Sequence, residues 1–246
     1  MQAIRSLLFT VAYFEVSCWT LVVLFFLSPR RIAAIYGRLD AKEQEKRLAS
    51  MGPFLNPGET VLDIGSGSGR FGKAVQERFN VAVTGVDVCD YADGTIPFFL
   101  YDGHTLPFPD NAFDVAFFAF VLHHIEDQQT ILEEACRVAR KQVIIFEDTY
   151  ERFWERWFVW WNDYHTNIFQ GWIKARKGYL KGSPTSIPMP LTFRSVRGWQ
   201  EFLAQFPVEP VLYSIRTMGY KPLKKVTIHL KMKKTVTENQ TAGAVV

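Results

Sequence analysis

Residues 61–70 read VLDIGSGSGR. An apolar run carrying a single acid, Asp63, passes into three glycines at alternate positions, Gly65, Gly67 and Gly69. Glycines there let the backbone reverse direction after a strand and come close to a ligand. Residues 70–79 then have helical spacing, so a helix N-terminus is aimed at the same place. A dinucleotide loop spaces its glycines G-x-G-x-x-G, whereas this loop reads G-x-G-x-G with an acid two residues ahead. Residues 81–86 form a second apolar strand ending at Asp87, where a carboxylate accepts ribose hydroxyls. That position is shared with dinucleotide enzymes, so Asp87 alone does not discriminate.

Outward from this unit the pattern repeats. Residues 96–101, 113–120 and 142–146 read as strands, and 127–140 as an amphipathic helix. The run 113–120 has the unbroken apolar character of a central parallel strand. Upstream, residues 40–51 form a charged helix with a one-sided apolar stripe, followed by an Asn56-Pro57-Gly58 turn. Alternating strands and helices predict a Rossmann-like, doubly wound, mostly parallel α/β sheet. The alternation stops after Thr149. A helix over 195–206 and strands over 211–216 and 226–232 complete a seven-stranded sheet. The expected divisions are a hydrophobic helix (1–28), the α/β core (29–149), an aromatic cap (150–194), the C-terminal part of the core (195–234) and a patternless tail (235–246).

The 246 residues suffice for one such domain with added elements. A net charge of +3 gives no bulk electrostatic case for nucleic acid. Lysines 221, 224, 225, 231, 233 and 234 do cluster near the C-terminus. Cys18, Cys89 and Cys136 show no CxxC pair, so neither a disulfide framework nor a metal site is indicated.

Further motifs sit where strands should end. Asp102-Gly103-His104 follows the third strand and leads into LPFPDNAFD, and VLHH at 121–124 follows the fourth. Taken with the glycine loop, these strings resemble class I S-adenosylmethionine-dependent methyltransferases, in particular small-molecule enzymes that methylate quinones and sterols. The resemblance covers roughly residues 48–149. It implies S-adenosyl-L-methionine as cofactor, held by Asp63, Gly65, Ser66, Gly67, Gly69, Asp87, Val88, Asp102, Gly103 and Phe120. In it the glycine loop cradles the carboxypropyl group, Asp63 serves the amino group and Asp102 the adenine amino group. Asp114 more often packs structurally. One departure is visible: a Pro-Gly-Gly turn is usual before the fifth strand, and this chain has Arg140-Lys141-Gln142, so the strand is expected to start directly.

Candidate catalytic groups are His123, His124, Glu147 and Asp148. A histidine after the fourth strand can take a proton from a hydroxyl or thiol, or it can order the loop and line the cofactor pocket. Glu147 and Asp148 end the fifth strand, facing the ligand crevice of such sheets. They can orient a substrate or act as base, or pair with Arg152 or Arg156.

Two apolar regions bear on the acceptor. Residues 6–27 carry one charge, Glu15, and a helix of that length spans about 30 Å. A single-pass anchor, a cleaved signal peptide and a soluble helix packed on the domain or in a dimer are all open. For an anchor, Arg30, Arg31 and Arg38 against Arg5 place the main domain in the cytosol; a soluble cytoplasmic protein is the alternative. Residues 153–172 hold nine aromatic side chains, more than one helix face can bury, which suits a lid over an apolar substrate or a membrane-interface surface. Asn162, Asp163 and His165 lie among them. The expectation is methyl transfer to a small apolar or lipid-like acceptor near a membrane. The rivals are a cofactor-binding but inactive scaffold and a protein or RNA methyltransferase. Oligomeric state is not legible.

Overall fold

The computed structural model describes residues 7, 10, 11, 14, 15, 18, 41–176, 190, 192–217 and 223–232. Helix α1 covers 41–51 of these. There follow β1 (Thr60–Ile64), α2 (Arg70–Phe79), β2 (Ala82–Asp87), β3 (Phe98–Leu100), β4 (Phe113–Ala119), α3 (Gln128–Val138), β5 (Ala139–Thr149), α4 (Glu155–Arg176), α5 (Val196–Leu203), β6 (Val208–Thr217) and β7 (Lys224–Met232). The sheet has seven strands in the order β3-β2-β1-β4-β5-β7-β6. Strands β1 to β5 pair in parallel, while β7 runs antiparallel between β5 and β6. The mostly parallel α/β sheet read from the sequence is thus the fold.

Both faces of the sheet are covered, which is why its central strands are apolar throughout. Leu62, Ile64, Ala116, Phe118, Val143 and Ile145 meet α3 and α5 in one core; Val61, Val115, Phe117, Ile144 and Phe146 meet Leu48, Met51 and Val75 in the other. Fully burying each such side chain contributes roughly 1.5–3 kcal/mol. Helix α3 starts at its capping residue, with the Asp127 carboxylate accepting from Thr130 N at 3.1 Å. Ser195 caps α5 in the same way through Gly198 N.

Strand β5 begins directly after α3 and is six residues longer than the five predicted, 11 against 5. Arg140 and Lys141, where the Pro-Gly-Gly turn was absent, reach across to Asp114 at 2.6 and 2.9 Å. Asp114 also accepts from the backbone N–H of Thr60 at 3.0 Å. It therefore ties the starts of β1, β4 and β5 together, at the sheet end opposite the glycine loop.

Most of residues 6–27, all of 177–189 with 191, residues 218–222 and the tail from 233 lie outside the described residues. The expected anchor and tail fall there, as do Lys221, Lys233 and Lys234. Among the described residues no helix is long and apolar enough to cross a membrane. Within the lysine stripe, the described Lys224 and Lys225 are engaged with other groups. Lys224 is drawn into ion pairs with Glu151 and Glu155 at 2.8 and 3.0 Å, and the Lys225 ammonium lies 4.4 Å from the Phe120 ring centroid.

Candidate active site

The glycine loop leaves β1 with Gly65, Gly67 and Gly69 all at positive φ. At Gly65 a side chain is also barred by space, since a Cβ would sit 2.5 Å from Val121. At Gly67 a Cβ would meet nothing within 4 Å, so the loop opens there. The Gly67 N–H donates to Asp87 Oδ2 at 2.8 Å, which fixes the end of β2 against the loop. Burial pushes the Asp87 carboxyl upward, against the backbone bonds that favour its charge.

Asp63 is 2% exposed, and its Oδ2 has no hydrogen-bond partner; Ser66 Oγ beside it is likewise buried and unpartnered. Burial, reinforced by the Asp87 charge, raises the Asp63 carboxyl to about 8. A buried acid left in this state suits a cationic ligand group. Arg47 of α1 lies near it, its guanidinium 4.8 Å from the Phe71 ring and 5.6 Å from the Phe120 ring. Sequence reading missed Arg47. It is one charge among many on a polar helix, and only the fold brings it beside Asp63.

Beyond β2 and β3, Val88 is 47% exposed, and a Cβ on Gly103 would lie 3.3 Å from it. These two positions converge. Asp102 Oδ1 is committed locally, accepting from His104 N and Thr105 N at 2.8 Å each. Those bonds hold its carboxyl below the usual range.

After β4 the chain passes Phe120, a non-glycine residue at φ +61°. Such backbone occurs where the surroundings enforce it; here Phe120 N donates to Phe146 O at 2.9 Å. VLHH then meets the end of β5. Glu147, 1% exposed, accepts from Leu122 N at 2.8 Å and holds His123 Nδ1 at 2.6 Å. His123 Nε2 faces Asp163 Oδ1 of α4 at 3.4 Å. Burial works against charge on His123, but Glu147 and Asp163 outweigh it and raise its pKa well above the ordinary value. The Phe193 ring stacks on His123 at 4.5 Å. Burial also raises Asp148 to about 6, against the charges of Lys225 and His123.

The structure thus brings together His123, His124, Glu147 and Asp148, and adds Asp163, which sequence reading had placed only in a polar patch of the cap. Neither Thr192 nor Gln128 was foreseen. Thr192 Oγ1 lies 2.9 Å from the carbonyl of Ile125, and Gln128 Nε2 donates to Leu122 O at 2.8 Å and Thr192 O at 3.0 Å. They clamp the segment after α4 onto the histidine loop.

Residues 62–146 match the family model described as a methyltransferase domain. That stretch, about a third of the chain, is what is similar to a methyltransferase domain. Over 107 residues it is 33% identical to 27-O-demethylrifamycin SV methyltransferase of Amycolatopsis mediterranei, covering 38% of this chain and 39% of that one. It is 32% identical over 96 residues to demethylmenaquinone methyltransferase of Corynebacterium efficiens, covering 35% and 39%. The chain thus spans about two fifths of the length of these curated relatives. Among solved structures, a SAM-dependent methyltransferase from Aquifex aeolicus superposes with a TM-score of 0.53 at 19% identity, over 84% of this chain and all of that one. That similarity confirms the fold.

Proposed function

We propose that the chain transfers a methyl group from S-adenosyl-L-methionine to a small, apolar acceptor. The observation that carries the reading is the unpartnered, buried Asp63 Oδ2 at the mouth of the glycine loop, opposite Asp87. The chain's residues fit the cofactor group by group. Asp63 answers an ammonium, Asp87 ribose hydroxyls, the Arg47 guanidinium a carboxylate, and the Val88–Gly103 slot a flat ring. When bound, the cofactor supplies an already activated methyl group. The protein's own share is to position the acceptor and exclude water. His123, held protonated between Glu147 and Asp163, is the group at hand to donate a hydrogen bond that orients the acceptor.

Helix α4 supports the acceptor class. Val159, Trp160, Tyr164 and Ile168 are buried, while Trp157, Phe158, Trp160, Trp161 and Tyr164 line an apolar cleft of about 260 Å³. Phe153, Trp154, Trp157 and Phe158 are 45–73% exposed. Leu7, Val11 and Phe14 are exposed too, and Glu15 reaches His165 of α4 at 3.4 Å. In this reading α4 caps the site. Together with residues 6–27 it meets the cytosolic face of a membrane, where an apolar acceptor dissolves.

Calorimetric titration with S-adenosylhomocysteine tests the cofactor: binding is expected, and is expected to be lost in Asp87→Ala and Gly65→Val. No binding at millimolar ligand overturns the reading. Incubation with radiolabelled donor and a lipid extract tests the acceptor class. Labelled product only in the protein or RNA fraction selects a macromolecular substrate, and binding with no labelled product anywhere selects an inactive module.

A further inference from the structure

Three side chains at the floor of the cap bring their donor atoms to one place. His123, His124 and Asp163 each offer one donor atom, and these atoms lie within 4.8 Å of one another. His123 Nδ1 is 2.6 Å from Glu147 Oε2, so in a neutral ring the Nδ1–H donates to Glu147 and the Nε2 lone pair points at Asp163 Oδ1, 3.4 Å away. Facing lone pairs call for a cation between them, either a proton on Nε2 or a metal ion. The 3.4 Å separation is longer than a charge-assisted bond of about 2.7–2.9 Å and close to the edge of a tetrahedron around an ion at about 2.0–2.1 Å from nitrogen and oxygen ligands.

Three independent features agree. Asp163 is 7% exposed and its second oxygen has no hydrogen-bond partner. Glu147, Asp148 and Asp163 bring three carboxylates together around His123, with Lys225 the ammonium that acts on Asp148. The Glu147–His123 pair also has the form of the carboxylate–histidine support found behind metal-bound imidazoles.

We propose that His123, His124 and Asp163 form a binding site for one divalent transition-metal ion. Two imidazoles and one carboxylate suit zinc, cobalt or iron(II) rather than magnesium or calcium. Three protein ligands leave a position open. On the methyl-transfer reading above, that position faces the acceptor, whose oxygen or nitrogen it would hold. Metal binding itself does not depend on that reading. The ligands come from a loop and a helix far apart in the chain, so no spacing motif announces the site.

The test is a titration of the chelator-treated full chain with Co²⁺, followed by visible absorbance, with S-adenosylhomocysteine affinity measured in parallel. One equivalent is expected to give the bands of a four-coordinate ion, and Zn²⁺ is expected to displace it. Asp163→Asn and His124→Gln are each expected to weaken binding at least ~10-fold, and Glu147→Gln by about 10-fold through loss of the outer carboxylate. Asp87→Ala is expected to leave Co²⁺ binding intact while abolishing S-adenosylhomocysteine binding, so the two proposals fail separately. No absorbance change at millimolar Co²⁺ overturns the site. So does binding that survives both Asp163→Asn and His124→Gln, variants checked as folded by circular dichroism.

Discussion

At the scale of single residues, Asp63 is the sharpest handle. Its carboxyl is raised from 3.8 to about 8 by burial and by Asp87. Between those values the folded chain holds a proton that the unfolded chain has lost, so this group makes stability fall as pH rises from about 4 to about 8. Asp63→Asn removes that burden. Chemical denaturation at pH 8 is expected to show the variant more stable by roughly 1–3 kcal/mol, with binding of S-adenosylhomocysteine weakened. A cationic ligand group should ionise Asp63 and expel its proton. Calorimetry at pH 7 in two buffers of different ionisation enthalpy is then expected to give different heats for the native chain and equal heats for Asp63→Asn. Equal heats for the native chain would mean that Asp63 is charged before the ligand arrives.

At the scale of elements, the register of β1, β4 and β5 depends on Asp114. Burial would raise its carboxyl, but Arg140, Thr60 and Lys141 together hold it well below the ordinary range. Stability from a depressed carboxyl is present above the ordinary pKa and lost as pH falls through the folded one. Asp114→Asn is expected to lower stability by about 1–2 kcal/mol at neutral pH, a figure discounted because Arg140 is half exposed. The gap between the two proteins is expected to start narrowing only below about pH 4 and to remain in large part at pH 3, as followed by urea midpoints. Elements of this kind show what a sequence discloses. The first βα unit was legible because an apolar run, three glycines and a helical stripe are local signals, and α2 falls on its predicted residues 70–79. Strand β5 was read short because Arg140 and Lys141 look like loop residues until their partner Asp114 is beside them. The His123–Asp163 contact joins a loop to a helix in a segment that sequence pattern marks only as aromatic, and no periodicity links them. The glycine-loop side was therefore readable, and the His123–Asp163 side was not.

At the scale of the whole molecule, the sheet and the aromatic face of α4 divide the labour. The strand ends carry the donor groups, and α4 presents Trp154, Trp157 and Phe158 outward. Aromatic rings at an exposed face anchor well at the lipid headgroup level. Replacing all three by Ser is expected to reduce co-sedimentation with phospholipid vesicles severalfold while S-adenosylhomocysteine affinity stays unchanged. Equal sedimentation of both proteins would remove α4 from the membrane contact.

The antiparallel β7 has a consequence in the time domain. It is the last described strand in the chain, yet it covers one whole side of the central strand β5, matching residues 142–149. During synthesis, every residue of the donor site leaves the ribosome while β5 still presents that side as an open row of backbone donors and acceptors. Such a row recruits strands from other chains. A chain ended at residue 206 is expected to scatter light and pellet after translation in vitro, where the full chain stays in the supernatant. The sheet is thus completed only once β6 and β7 have joined it, and until then that side of β5 stays open.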